Sequence, residues 1–192
     1  SLSRICATSL WRGSSEVAKI RGMTERLFLA LWPPENVLDE IDRALPRGLT
    51  ALRWQPRERW HVTVAFLGNR EPHKELARLE QLEAIEPEPM HLAGSGAFGP
   101  VLWIGVQTGP WLAQLATDAR RIFHVGERRF RAHVTVARAR DSAGRRELLQ
   151  AQETLSDWAS TAWLPEALTL VRSTTGPRPS YEVIGRKGLG VP

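Results

Sequence analysis

Cysteine is almost missing from this chain: Cys6 is alone among 192 residues, so no disulfide can close within it and no cysteine-rich metal site can be built. A reducing, cytoplasmic setting is the expectation. Lysine is nearly as scarce. Lys19, Lys74 and Lys187 are outnumbered by arginine among 26 basic residues, and the planar arginine fork suits phosphate oxygens, although a GC-rich gene also writes arginine wherever a surface needs a cation. Long hydrophobic runs are absent. Leu27 to Trp32 is the longest, against the roughly 18 residues of a membrane span, so neither a transmembrane helix nor a membrane partner is expected. The five histidines His61, His73, His91, His124 and His133 show no ligand spacing for a metal, and no metal or other cofactor is expected.

What remains is ordinary globular material, 42% hydrophobic and 24% charged, which excludes intrinsic disorder for the chain as a whole. The formal charge of +5 is unevenly placed. Residues 1–22 hold Arg4, Arg12, Lys19 and Arg21 against Glu16 and show no helical or strand period, so they read as a disordered or artificial extension. Residues 23–192 read as a single bilobal domain. Within it Arg120, Arg121, Arg128, Arg129, Arg131, Arg138 and Arg140 face only Glu127 across one short window. Something anionic is expected to visit it.

Leu27 to Trp32 reads as a buried strand stopped by Pro33-Pro34, followed by a helix carrying Val37, Leu38, Ile41 and Leu45. A β-rich stretch follows at 60–67. Leu76, Leu79, Leu82 and Ile85 mark a second helix, and short strands at 90–93 and 101–106 are joined through Gly94-Ser95-Gly96. The second half repeats this order: a strand at 101–106, a helix opened by Pro110 with Trp111, Leu112, Leu115 and Ile122, a strand at 130–137, and a helix carrying Leu148, Leu149 and Leu155. Strands near 167–171 and 181–184 close the chain. The expected fold is α+β and duplicated, each lobe an antiparallel sheet with helices outside, the two related by a pseudo-twofold around a central cleft.

Each half carries one tetrapeptide: His61-Val62-Thr63-Val64 and His133-Val134-Thr135-Val136. Because a strand has period two, His and Thr project from one face of each copy and the valines from the other. A pseudo-twofold brings two imidazoles and two hydroxyls together around a space the size of a phosphate. In-line hydrolysis of a phosphodiester needs a base for the attacking water and an acid for the departing oxygen, and two histidines supply both near neutral pH. Threonine hydroxyls can donate to the non-bridging oxygens. The residues alone do not say which histidine is the acid.

At these motifs the chain resembles the 2H phosphoesterase superfamily, named for its two H-x-T-x motifs, and within it the 2'-5' RNA ligase-like RNA 2',3'-cyclic phosphodiesterases. The similarity extends over about residues 25–189, through Arg26-Leu27-Phe28-Leu29-Ala30-Leu31, the extension Ala65-Phe66-Leu67-Gly68, Gly96-Ala97-Phe98, and Ser173 with Gly176-Pro177 and Tyr181. The resemblance implies that His61 donates the proton to the leaving oxygen, that His133 activates water, and that Thr63, Thr135 and Arg138 hold the phosphate. By strand parity Arg138 falls off the His133 and Thr135 face unless a bulge intervenes, and Ala132 stands where many relatives have proline. The implied substrate is RNA ending in a 2',3'-cyclic phosphate, tRNA fragments among such ends, opened to a 2'-phosphomonoester without metal, with ATP-independent 2'-5' ligation at the same site. A non-catalytic RNA or nucleotide-binding module and a small-molecule cyclic nucleotide phosphodiesterase are the alternatives. Of the aromatic residues, Trp103 and Trp111 are expected in the core, whereas Phe66, Phe130 and Tyr181 are candidates for stacking on bases. A monomer is expected, since the duplication already supplies both motifs.

Overall fold

The computed structural model describes residues 23–190 apart from 84, 127–128 and 177–178. The extension read at 1–22, with Arg128 and Pro177, lies outside the described residues. The elements run β1 (Glu25–Leu31), α1 (Glu35–Ala44), β2 (Leu52–Trp54), a 3-10 turn (Arg57–Arg59), β3 (Val62–Arg70) and α2 (Pro72–Glu80). Then come β4 (His91–Phe98), β5 (Val101–Gln107), α3 (Trp111–Ile122), β6 (His133–Ala139), α4 (Ser142–Thr154), β7 (Ala167–Thr174) and β8 (Ser180–Gly188). No helix among them is long and apolar enough to cross a membrane.

All eight strands form one antiparallel sheet in the order β4-β5-β6-β3-β1-β7-β8, with β2 on β6. The order is that of the expected duplication, with β5 matching β1, β6 matching β3 and β4 matching β7. Each lobe takes its third strand from the opposite half of the sequence: β7 completes β1 and β3, and β4 completes β5 and β6. The lobes meet where β3 and β6 pair at Val62 and Val134.

The sheet has two unlike faces. Leu27, Leu29, Leu31, Val62, Val64, Val134 and Val136 point to the face covered by helices, where α1 adds Val37 and Ile41, α2 Leu79, α3 Leu112 and Leu115, and α4 Leu148 and Ala151. Burial of this one continuous cluster is the main force holding the fold together. On the other face Phe28, Ala30 and Val171 form a small cluster with Trp32 and Tyr181. This explains why β1 is apolar on both sides and reads as an unbroken hydrophobic run.

Several boundaries differ from the sequence reading. Gly94-Ser95-Gly96 lies within β4 rather than between strands, because Gly94 takes φ 66° and the register shift between Leu92 and Ser95 absorbs the irregularity. Leu149 is exposed, one position round α4 from buried Leu148. Strand β6 begins at His133 rather than at 130, and β3 at Val62, after the 3-10 turn. Strand β2 is three residues long and carries no pattern a sequence reading can find.

Candidate active site

The pair Val62 and Val134 places the two H-x-T motifs side by side on adjacent antiparallel strands. Extending that register by one residue each way sets His61 opposite Thr135 and Thr63 opposite His133. Since the valines are buried beneath the helices, all four polar side chains rise from the open face.

Both rings are held in the same way. His61 Nδ1 lies 2.7 Å from the Arg59 carbonyl oxygen, and His133 Nδ1 lies 2.7 Å from that of Arg131. A carbonyl only accepts, so Nδ1 carries the proton in each ring and Nε2 is left to face the site. His61 Nε2 is 3.1 Å from Thr63 Oγ1, and here the hydroxyl donates to the neutral ring.

Aromatic rings surround each imidazole, more tightly at His61. Phe28, Trp32 and Tyr181 lie 4.9, 5.2 and 5.3 Å from its centroid. Trp32 is fixed by its indole N–H donating to Thr169 Oγ1 at 2.8 Å, and Thr169 in turn donates to the Ala30 carbonyl at 3.0 Å. Burial pushes the His61 imidazole down to about 4; the bond to Arg59 opposes this and the charge of His133 adds to it. At His133, Phe98 and Trp103 stand at 5.3 and 6.0 Å. Burial lowers its pKa too, opposed by the Arg131 carbonyl and assisted by the Arg131 guanidinium. Trp103 is therefore a wall of the site and not the core residue expected from its apolar strand. Its ring lies over Gly96, where a Cβ would come within 2.1 Å of it. Trp111 is buried as expected.

The difficulty with Arg138 is resolved by a bulge. Between Leu102 and Trp103 the partner on β6 jumps from Ala137 to Thr135, so Val136 and Ala137 both turn into the core and Arg138 emerges on the face of His133 and Thr135. Strand β3 has the same bulge: between Leu29 and Ala30 the partner jumps from Ala65 to Thr63. Its counterpart of Arg138 is Phe66, 56% exposed. Arg138 also pairs across to Arg53 of β2, a residue the sequence reading missed because β2 itself was invisible. Both guanidiniums are exposed, and among the described residues neither is in an ion pair. Like charges directly opposite are unfavourable, so this end of the site is poised for an anion.

At the other end, a groove of about 450 Å³ opens beside His133 and Thr63, lined by Phe66, Phe130, Arg120, Arg129 and Arg131 with Val125 and Gly126. Of the three stacking candidates, Phe66 and Phe130 border this groove, while Tyr181 is packed edge-on against His61.

Comparison with known proteins gives a consistent result. The sequence model of the 2'-5' RNA ligase superfamily matches residues 20–177. An RNA 2',3'-cyclic phosphodiesterase of Methanocaldococcus jannaschii is 28% identical over 171 residues, 83% of this chain and 98% of the relative. A protein of the same name from Archaeoglobus fulgidus is 32% identical over 129 residues, 60% of this chain and 73% of its own. Among solved structures, E. coli LigT in apo form superimposes with a TM-score of 0.69 at 23% identity, covering 88% of this chain and 99% of LigT. That likeness speaks for the fold.

Proposed function

Since the chain belongs to the 2'-5' RNA ligase superfamily, we propose that it opens RNA 2',3'-cyclic phosphate ends to 2'-phosphomonoesters, using His61 and His133 as a general acid and base pair. The observation that carries this reading is the Val62 and Val134 register, by which each imidazole stands beside the other motif's threonine on one open face. A cyclic phosphate seated between them meets Nε2 of both rings. His133 Nε2 takes the proton of the attacking water. The water oxygen bonds to phosphorus, the bond from phosphorus to O3' breaks, and His61 Nε2–H protonates O3'. Thr63 and Thr135 donate to the non-bridging oxygens, where charge accumulates during the transfer, and Arg138 with Arg53 draws the phosphodiester to the site.

In the absence of substrate His61, with its pKa near 4, is neutral at pH 7, protonated on Nδ1 and bare on Nε2. The bound phosphate supplies what is missing, since an anion between the rings favours the imidazolium form. Two imidazoles provide both proton transfers, each worth roughly 10²–10⁴-fold, so the proposed reaction runs without metal. Replacing water by the 5'-hydroxyl of a second RNA converts hydrolysis into 2'-5' ligation with the same proton movements. One chain holds both motifs, which supports action as a monomer.

The test is incubation of an oligoribonucleotide 2',3'-cyclic phosphate with the protein in EDTA across a range of pH, resolving 2'- from 3'-phosphate. The proposal requires the 2'-phosphate and a bell-shaped profile. Binding without conversion would assign the site to a non-catalytic RNA-binding module instead, and conversion of mononucleotide cyclic phosphates in preference to RNA would favour a small-molecule phosphodiesterase.

A further inference from the structure

The two ends of the site are related by the pseudo-twofold but are not alike, and an in-line displacement also has two unlike ends. Attacking and leaving oxygens lie on opposite sides of phosphorus, so whatever is attached to the nucleophile lies on the side of the base. At the His61 end the bulge delivers Arg138 beside Arg53, a cationic patch. At the His133 end the equivalent bulge delivers Phe66, and the surface sinks into the groove of about 450 Å³.

From this asymmetry we infer that the groove bounded by Phe66 of β3 and by Val125, Gly126 and Phe130 is an acceptor subsite, which receives the 5'-terminal nucleoside of a second RNA whose 5'-hydroxyl attacks in place of water. The inference rests on the roles proposed above for His133 and His61. Water needs no such room, whereas the groove falls within the usual size range of a small-molecule site. Phe66 and Phe130 offer the flat apolar surfaces on which a base stacks. Among the described residues three arginines and no carboxylate line the groove, matching the phosphates that continue the acceptor strand. Arg129 is exposed and in no ion pair among the described residues.

The step balances without a further reactant. The acceptor 5'-oxygen bonds to phosphorus as its proton passes to His133 Nε2, the bond from phosphorus to O3' breaks, and O3' takes the proton of His61 Nε2. The product is a 2'-5' junction. In reverse, the same groove holds the departing 5'-hydroxyl nucleoside when a 2'-5' junction is cleaved.

Gly126 gives a clean way to fill the groove. A Cβ there meets nothing within 4 Å, and its φ lies outside the left-handed range, so Gly126→Trp is free of backbone strain. Wild type and variant are compared in two assays: hydrolysis of an RNA 2',3'-cyclic phosphate, and cleavage of an oligoribonucleotide carrying one 2'-5' junction. The variant should lose about tenfold or more in junction cleavage, the loss expected when one stacked base is displaced, and keep hydrolysis within about twofold of wild type. Retained hydrolysis also shows that the variant folds, and Val125→Trp repeats the comparison from a second position. Equal loss in both assays would assign the groove to the cyclic-phosphate nucleoside itself and overturn the inference. So would unchanged cleavage in both variants, or a wild-type protein that hydrolyses the cyclic phosphate but leaves the junction intact. A wild-type protein that fails on the cyclic phosphate refutes the proposed function first, and the acceptor subsite with it.

Discussion

Replacing His61 by glutamine should change how stability depends on pH. Its imidazole is held near pKa 4 in the folded protein, against an ordinary value of 6.5. As pH falls the unfolded chain takes up this proton first, so stability from this group is present in full above 6.5 and is lost as pH drops toward 4. With 1.36 kcal/mol per pKa unit, the loss by pH 4.5 is about 2–3 kcal/mol. Glutamine does not titrate, so the variant lacks this loss while sharing every other titration with wild type. Urea unfolding of both proteins at pH 7 and pH 4.5 measures it: the stability of wild type relative to His61→Gln should fall by about 2–3 kcal/mol on acidification. A difference that stays constant with pH would refute the claim that Phe28, Trp32 and Tyr181 desolvate this ring.

Other consequences are as direct. Gly96→Ala forces a methyl into the Trp103 ring and should cost about 1–3 kcal/mol as overpacking, lowering both the denaturation midpoint and turnover through the displaced wall of His133. Thr169→Val removes the acceptor of the Trp32 indole and a donor to the Ala30 carbonyl; a loss of about 1–3 kcal/mol is expected in chemical denaturation. Arg138→Ala should raise KM for RNA about tenfold, the order of one charge-assisted hydrogen bond, without lowering Tm, because it relieves the repulsion with Arg53. A matched fall in Tm would mean that Arg138 is structural.

Much of this arrangement is legible in the sequence because period two is unforgiving. His61 with Thr63, and His133 with Thr135, must share a face once Val62 and Val134 are buried, and the repeated tetrapeptide fixes the matching of the lobes. What escapes is what depends on partners distant in the chain. The exchange of β4 and β7 between lobes leaves no local trace, and Arg53 sits on a strand that exists only because β6 pairs with it. Strand parity alone puts Arg138 on the wrong face. The bulge that corrects it is set by pairing with β5 and not by any residue that announces a bulge. Trp103 reads as core because its neighbours Leu102 and Ile104 are fully buried, yet alternation on β5 turns it outward against His133.

In the proposed mechanism two imidazoles, one from each half of the chain, share the proton transfers of one phosphodiester displacement. The most direct measurement is turnover of an RNA 2',3'-cyclic phosphate by His61→Gln and His133→Gln beside wild type, with circular dichroism showing that each is folded. Each folded variant should lose about 10²–10⁴-fold in kcat. Full activity in either one would contradict the account.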